Sequence, residues 1–224
     1  MKLKFFKLRN KNYTIDSLNV KKESISIDDR KNVKIVFVDD EGYDIDTIKR
    51  LGFKDTDKMF VYNDLSDFEK YDVIFCDVNG VAPELDPIFQ GAELARQIKK
   101  LYPSKFVIIY SSRNQGLNIT KYKDEVDYMI EKNTKPAGIA EYIDEYIRIC
   151  KDYKYRWEYL NKELKKYNLS ESDLSLIEEI YVKSIQDNKN YTENLETLLK
   201  VDSINLADVL SIVSSVISIW GVIH

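Results

Sequence analysis

Short apolar runs recur through the middle of the chain, separated by mixed polar stretches. The first run, at 33–38, is almost continuously hydrophobic, which is typical of a strand buried on both faces of a parallel sheet. Similar runs follow at 59–62, 73–76 and 106–110, with a weaker one at 128–130. The pattern predicts five strands.

Helical periodicity lies between these runs. Apolar residues recur at intervals of three and four at 45–51, 94–101 and 139–150, and Pro136 stands just before the third stretch. Strands that alternate with helices in this way favour the α/β class. We therefore expect a doubly wound, five-stranded parallel sheet over residues 33–150.

The two flanking regions have different patterns. Residues 1–32 contain short stretches of β character, such as 13–15 and 24–27, which predict a small hairpin or an edge extension. Residues 151–224 have apolar positions at helical spacing and predict an all-α C-terminal region. The helical patterns in this region run from 153 to 167, 174 to 185, 192 to 200 and 209 to 223.

The last of these stretches, 209–223, is apolar apart from its serines. It is shorter than the ~20 residues that usually cross a bilayer. Extension back to residue 204 would include Asp208, whose charge is costly in lipid. We expect a buried or self-associating helix, which would allow a homodimer through the C-terminal helices. A membrane anchor formed by 204–223 is the alternative.

Polar side chains stand where the strands of the predicted sheet end. Because the carboxyl ends of parallel strands meet at one edge of a doubly wound sheet, these side chains should gather there. They are Asp39, Asp40 and Glu41 after the first strand, Asp77 after the third, Ser111 after the fourth and Lys132 after the fifth.

This set of residues suits one kind of chemistry. Crowded carboxylates repel one another and need a cation, and oxygen ligands suit Mg²⁺. A carboxylate beside Mg²⁺ and an ammonium group can act as an in-line nucleophile towards a phosphoryl group. The strand ends therefore predict a phosphoryl-transfer site.

In order and spacing, these residues resemble the receiver domain of two-component response regulators, over 33–150. The resemblance implies a flavodoxin-like receiver fold in which Asp77 accepts a phosphoryl group from a sensor histidine kinase or phosphotransfer protein. It also implies that Mg²⁺ is held by Asp40 and Asp77, by Asp39 through water, and by the backbone carbonyl of Asn79. The receiver itself would need no enzymatic activity, and we expect none.

The resemblance further implies that Ser111 is the switch hydroxyl and that Lys132 pairs with the bound phosphate. Receivers usually carry Lys-Pro after the fifth strand, whereas Asn133 follows Lys132 here. The pair Lys135-Pro136, three residues on, is the alternative, although its register at the strand end is worse.

Other departures concern the face that would transmit a signal. The second switch position, normally aromatic, falls on Met129, which we interpret as a packing residue. The loop at 78–91 is longer than usual, and 114–125 lacks an apolar stripe where a fourth helix is expected. These departures motivate a second hypothesis, in which the receiver fold is a phosphorylation-independent scaffold and the helical region does the work.

Composition narrows the choice of function. The C-terminal region, 151–224, carries 9 Lys and Arg against 12 Asp and Glu, which speaks against a DNA-binding module because phosphate contacts need clustered cations. Cys76 and Cys150 both lie in apolar runs, which favours a reducing compartment, and we expect a cytoplasmic protein. The inner face of the membrane, reached through 204–223, is the alternative location.

Several enzyme classes lack their signatures in this chain. The one histidine, His224, excludes catalytic triads and metal sites built on histidine. Glycine-rich nucleotide loops are absent, and neither Asp39-Asp40-Glu41 nor Asp77-Val78-Asn79 supplies the Asp-x-Asp pattern of haloacid-dehalogenase-like phosphatases or toprim-like nucleases.

Overall fold

A computed structural model describes residues 13–18, 24–112, 119–199 and 203–218. The described residues form two compact units. One consists of residues 24–150 and is called the sheet unit. The other combines residues 13–18 with the described part of 151–218 and is called the helical unit.

The sheet unit contains five strands, all parallel to their neighbours, in the order β2-β1-β3-β4-β5. This is the flavodoxin-like order of a doubly wound sheet, so the predicted fold class is confirmed. β1, β3 and β4 are buried along their whole length, as their uninterrupted apolar runs indicate. The strands are β1 (Ile35–Val38), β2 (Thr56–Met59), β3 (Val73–Asp77), β4 (Phe106–Ser111) and β5 (Tyr128–Glu131).

The two faces of the sheet have different cores because side chains alternate along each strand. One face packs Val36, Ile74 and Val107 against Leu94 and Ile98 of the third helix. The other face is aromatic, since Phe37 stacks on Phe75 with ring centroids 4.4 Å apart and Phe75 meets Tyr110 edge-on. The helices of this unit are α1 (Ile27–Lys31), α2 (Ile45–Arg50), α3 (Gln90–Leu101) and α4 (Pro136–Lys151).

The predicted strand at 59–62 is largely wrong, because β2 ends at Met59. Its last ladder bond runs from the Asp39 amide to the Met59 carbonyl, at 3.1 Å. β1 ends at Val38, so the backbone beyond Met59 has no strand to pair with. Phe60 and Val61 are accordingly exposed.

The predicted β character of 1–32 is also wrong for the described part of that region. Ile15–Ser17 is a 3₁₀ turn, and α1 begins after Ser26. The Ser26 side chain accepts from the Asp29 amide while the Asp29 carboxylate accepts from the Ser26 amide, a capping box that starts a helix. Residues 24–32 belong to the sheet unit and 13–18 to the helical unit. Residues 1–12 and 19–23 lie outside the described residues.

The receiver pattern expects a fourth helix at 114–125, and the structure describes this stretch from residue 119 onwards. Residues 113–118 lie outside the described residues. From residue 119 the chain forms a 3₁₀ turn, Thr120–Tyr122, and then enters β5. Tyr122 is buried against the Leu94 side of the sheet.

The helical unit confirms the predicted all-α C-terminal region. Trp157 and Tyr181 pack at 5.4 Å between ring centroids, and the Tyr181 hydroxyl donates to the Tyr153 carbonyl at 2.9 Å. Leu160 and Val213 are fully buried. The helices are α5 (Tyr153–Leu164), α6 (Glu171–Asp187), α7 (Glu193–Leu198) and α8 (Ser203–Ser218).

The last helix packs against α5, α6 and α7 within this unit. Val209 and Val216 on α8 are fully buried. Within the described ranges, no helix has both the length and the apolar character needed to cross a membrane. Residues 219–223 of the alternative anchor lie outside the described residues.

Candidate phosphoryl-transfer site

Three carboxylates meet at the carboxyl edge of the sheet. β1 ends at Val38 and delivers Asp39 and Asp40, while β3 ends with Asp77 beside it in the sheet. One oxygen from each of the three carboxylates lies within 4.8 Å of the other two. The parallel register alone accounts for this convergence, because neighbouring parallel strands end at the same edge.

Lys132 supplies the ammonium group at this edge. It follows β5 directly, and its amide continues the ladder by donating to the Ser111 carbonyl at 2.8 Å. Its Nζ lies 2.6 Å from Asp77 Oδ2 and 3.2 Å from Asp39 Oδ2. The exposed Glu41 is 3.5 Å away. These carboxylates raise the pKa of Lys132 above its ordinary value against the opposing effect of burial, so the side chain stays charged.

The alternative lysine occupies a different position. Lys135 is exposed, and its carbonyl accepts from the Ile139 amide in the first turn of α4. Among the described contacts of Asp39 and Asp77, the ammonium partner is Lys132. The structure therefore brings Lys132, and not Lys135, to the carboxylates.

Asp39 is held by four donors. Its Oδ1 accepts from the amides of Glu41 and Gly42, at 2.8 and 2.9 Å. Its Oδ2 accepts from the Tyr110 hydroxyl at 2.6 Å. Lys132 Nζ donates to Oδ1 at 3.4 Å and forms an ion pair with Oδ2 at 3.2 Å. Burial alone would raise the pKa of Asp39, but these hydrogen bonds and the ammonium charge outweigh it and hold that pKa below its ordinary value.

Asp77 has a less complete set of partners. Its side chain is only 2% exposed, and Oδ2 is paired with Lys132. Oδ1 is buried and finds no hydrogen-bond donor among the described residues. Burial raises the pKa of Asp77, and Lys132 offsets only part of that rise while the Asp39 charge adds to it.

Asp40 is exposed and lies over the backbone of Gly80. A Cβ placed on Gly80 would come within 1.9 Å of Asp40 Oδ2, and the φ of Gly80 is +69°. The turn after β3 therefore needs glycine both for its backbone conformation and for the space that Asp40 occupies.

The site residues fit a magnesium ion. A buried carboxylate oxygen without a donor is costly, and a cation would satisfy it. Asp77 Oδ1 is such an oxygen, and Asp40 adds a second, exposed carboxylate within reach. Hard oxygen donors of this kind are the ligands that Mg²⁺ prefers.

Two of the remaining predicted residues, Ser111 and Met129, lie nearby without a described contact to Asp77. The Ser111 hydroxyl donates to the Ser112 carbonyl at 3.0 Å. Met129 is half-buried and packs against the Leu94 side of the sheet, as a packing residue would. Asn79 is exposed two residues past Asp77; burial raises the pKa of Asp77, and the Asn79 backbone amide lowers it in part. The switch role of Ser111 and the carbonyl ligand from Asn79 stay predictions.

The long loop after β3 is held by its own polar side chains. The Gln90 side chain accepts from the Gly80 amide at 2.6 Å, and Asp86 Oδ1 accepts from the Ile88 and Phe89 amides. The loop then closes on the residue that follows β3, since the Gly91 amide donates to the Val78 carbonyl at 3.1 Å. The extra residues of this loop thus form an ordered connection.

Sequence reasoning missed Tyr110. It stands inside the apolar run of β4, where an aromatic residue predicts only core packing. In the register of the sheet it pairs with Asp77, which places its hydroxyl beside Asp39. The one signal in the sequence was that a tyrosine precedes Ser111 at the strand end. Without the register of the sheet, that signal does not say which residue the tyrosine hydroxyl contacts.

Comparison with known proteins finds similar solved structures at low sequence identity. No protein-family model matches the chain, and no curated protein matches it either. A response regulator receiver domain protein from Clostridium thermocellum is 23% identical over 52% of this chain and 94% of that one, with a TM-score of 0.40. Receiver domains are thus among the solved structures to which the chain is similar.

Two further structures show the same range of likeness. The BeF3-activated DrrB receiver domain is 19% identical and covers 52% of this chain and 97% of its own, with a TM-score of 0.37. RcsB from Salmonella enterica serovar Typhimurium, bound to promoter rprA in the presence of phosphomimetic BeF3-, is 16% identical over 80% and 98%, with a TM-score of 0.36. At these identities the likeness concerns the fold alone.

Proposed function

We propose that the sheet unit is the phosphoryl receiver of a two-component response regulator and that Asp77 is the acceptor. The observation that carries the proposal is the 2.6 Å contact between Lys132 Nζ and Asp77 Oδ2, with Asp39 and Asp40 gathered around it. A carboxylate nucleophile, an ammonium group and a place for a cation are the parts that phosphoryl transfer to a carboxylate needs.

In the proposed reaction, an oxygen of Asp77 attacks the phosphorus of a phosphodonor. A new P–O bond forms an acyl phosphate, and the bond to the donor breaks with its electron pair leaving on the donor. Lys132, already between Asp77 and Asp39, is placed to balance the charge of the phosphoryl oxygens. Bound Mg²⁺, held by Asp40 and Asp77, by Asp39 through water and by the Asn79 carbonyl, would supply further charge neutralisation.

The remaining assignments follow from position. Ser111 ends β4 beside the pocket, and we assign it the switch hydroxyl that would bond a phosphoryl oxygen. The donor would be a sensor histidine kinase or a phosphotransfer protein in the cytoplasm. The chain would accept the phosphoryl group and transmit the change without turning over a substrate of its own.

Phosphorylation with a small donor tests the proposal directly. The full chain is incubated with acetyl phosphate and Mg²⁺, and its intact mass is followed. One acid-stable, base-labile phosphoryl group is expected on the wild type and none on Asp77→Asn. Asp55→Asn is the matched control, because Asp55 is exposed at the opposite end of β2. Wild-type protein that takes up no phosphoryl group from any donor would refute the receiver function.

The output is proposed to be a change of assembly or partner binding in the helical unit. RcsB was solved with a promoter, but the acidic balance of 151–224 favours a protein partner here, a second copy included. Sedimentation velocity with and without beryllofluoride and Mg²⁺ should show a change of assembly in the wild type but not in Asp77→Asn. Binding of promoter-length DNA at physiological salt would contradict this part.

One observation favours a second function, a scaffold that acts without phosphorylation. The Asp77 side chain is 2% exposed, and its Oδ2 is already paired with Lys132. The charge of Asp77 is therefore partly compensated without any phosphodonor. In a scaffold, Asp77→Asn would leave the biological output unchanged. Loss of that output in Asp77→Asn, with the fold intact, would exclude this function.

A further inference from the structure

The Tyr110 hydroxyl is the one phenol that bonds a site carboxylate within the described structure. Tyr110 is 1% exposed, and its hydroxyl donates to Asp39 Oδ2 at 2.6 Å. The direction of this bond is settled by chemistry, since an ionised carboxylate only accepts. Tyr110 therefore acts on the pocket through Asp39.

The ring of Tyr110 is fixed by packing. It meets Phe37, Tyr43 and Phe75 edge-on, with ring centroids 6.1, 6.1 and 6.3 Å away. Phe37 in turn stacks on Tyr43 and on Phe75, at 4.5 and 4.4 Å. A ring enclosed in this way holds its hydroxyl at one point, so Asp39 meets the donor in a single orientation.

Both oxygens of Asp39 are already engaged by donors of the protein. A carboxylate offers about four lone-pair sites, two on each oxygen. The amides of Glu41 and Gly42 and the Lys132 ammonium donate to Oδ1. The Tyr110 hydroxyl donates to Oδ2, which also lies 3.2 Å from Lys132 Nζ. By contrast, Asp77 Oδ1 is buried without a described donor, and Asp40 is exposed to solvent.

We propose that Tyr110 is a positioning residue that ties Asp39 to β4 and so keeps it from ligating the divalent ion directly. The ion is then left to Asp40 and Asp77, with Asp39 acting through water. Tyr110 sets the affinity of the pocket for Mg²⁺ by occupying an oxygen that would otherwise bind the metal. This inference rests on the proposed Mg²⁺ site and adds a residue that controls it.

The decisive experiment measures Mg²⁺ affinity by isothermal titration calorimetry on the full chain, without any phosphodonor. Tyr110→Phe keeps the packed ring and removes only the hydroxyl. The freed Asp39 oxygen becomes available to the ion, so Mg²⁺ should bind about 5- to 10-fold tighter. Damage to the pocket would instead weaken binding, so the sign of the change separates positioning from a merely structural role.

Tyr43→Phe is the matched control. Tyr43 belongs to the same aromatic cluster, but its hydroxyl reaches only the Thr134 carbonyl, at 3.4 Å. Its removal should leave the Mg²⁺ affinity within about twofold of the wild type, since a contact of that length is weak.

A second pair of variants keeps the test decisive if Tyr110→Phe fails to fold. Asp40→Asn should weaken Mg²⁺ binding about 30-fold or more, whereas Asp39→Asn should weaken it only about 3-fold, since the through-water contact is largely kept. Equal losses in these two variants would overturn the inference, and so would unchanged or weaker binding in Tyr110→Phe. If the wild-type protein bound no Mg²⁺, both this inference and the proposed metal site would be refuted. If the wild type bound Mg²⁺ and Tyr110→Phe bound it with the same affinity, the inference alone would be refuted.

Discussion

Aspartates have different hydrogen-bond environments in the two units. In the helical unit, Asp152 Oδ1 accepts from the amides of Lys154 and Tyr155 at 2.8 and 3.2 Å, which starts α5. Asp173 accepts from the Ser170 hydroxyl at 2.5 Å at the start of α6. In the sheet unit, Asp77 is more deeply buried, yet one of its oxygens has no donor among the described residues.

This difference separates structural from functional carboxylates. A carboxylate that accepts from backbone amides at a helix start stabilises the fold. A buried oxygen without a donor lowers the free energy of unfolding by about 1–3 kcal/mol. Such an oxygen is therefore expected where a bound ligand offsets that loss. Asp127 shows that the sheet unit also has satisfied buried acids, because it accepts from Lys99 at 2.8 Å and from the Val107 amide at 2.7 Å.

The two units can be followed separately in one sample. Both tryptophans, at positions 157 and 220, lie beyond residue 150. Tryptophan fluorescence therefore reports on the C-terminal region, while phosphorylation of Asp77 reports on the sheet unit.

The largest effect is expected in the helical core. Leu160 is fully buried, so Leu160→Ala should lower the free energy of unfolding of the helical unit by about 3 kcal/mol. Urea unfolding followed by tryptophan fluorescence measures the loss. Phosphorylation by acetyl phosphate should continue at the wild-type rate, and a matching drop in that rate would show that the two units do not act separately.

The next effect concerns the site itself. Lys132→Gln keeps a polar side chain of similar length and removes the charge that lies between Asp77 and Asp39. Phosphorylation of Asp77 should slow about 100-fold, the cost of losing one charge-stabilising donor. Lys189→Gln, on the exposed end of the helical unit, is the control and should react normally. If Lys132→Gln were phosphorylated at the wild-type rate, another cation would have to stabilise the phosphoryl oxygens.

A smaller effect is expected in the turn after β3. Gly80→Ala places a Cβ where the Asp40 carboxylate lies, at a φ of +69°. Mg²⁺ affinity should fall about tenfold, and the free energy of unfolding should fall by about 1 kcal/mol. Gly138→Ala in α4 is the control, since alanine at a helical glycine is neutral or stabilising when the Thr134 methyl yields slightly. Equal Mg²⁺ affinity in both variants would show that Asp40 does not bind the ion.

The smallest effect is a dependence of stability on pH. Hydrogen bonds from Arg96, chiefly, lower the pKa of Glu93 to about 2 although burial opposes them. A carboxyl group whose pKa is lower in the folded state stabilises the protein above its unfolded pKa and loses that contribution as the pH falls. The sheet unit should therefore lose about 1 kcal/mol between about pH 5 and pH 2 through this group.

Glu93→Gln should remove that component. The variant should be less stable than the wild type at pH 7 and nearly equal to it at pH 2.5, as measured by far-ultraviolet circular dichroism during urea unfolding. Glu84→Gln, an exposed carboxylate in the neighbouring loop, serves as the control. A constant difference between wild type and Glu93→Gln over this pH range would mean that the Arg96 pair does not carry the effect.

Much of the sheet unit could be predicted from the sequence because its signals are local. An uninterrupted apolar run such as β1 or β4 requires burial on both faces, and the alternation of such runs with helical stripes gives the parallel order. The residue that follows each strand then lies at a known edge. Asp39, Asp40, Asp77 and Lys132 could be placed together on that reasoning.

Other features depend on partners distant in the chain. Phe60 and Val61 have strand-like side chains, but β1 ends before it can pair with them, so they lie in a loop. Residues 24–27 look equally strand-like, yet Ser26 and Asp29 cap a helix instead. Local propensity does not settle such cases, because pairing and capping depend on the tertiary environment.

By itself, the sequence determined the fold class, the edge at which the polar residues meet and the type of chemistry they suit, because each follows from periodicity and residue type. Only the tertiary structure decided that Lys132 and not Lys135 reaches the carboxylates, that Tyr110 donates to Asp39, and that Asp77 keeps an oxygen without a described donor. Those outcomes depend on ångström-scale distances between strands that are far apart in the chain, and no local pattern encodes them.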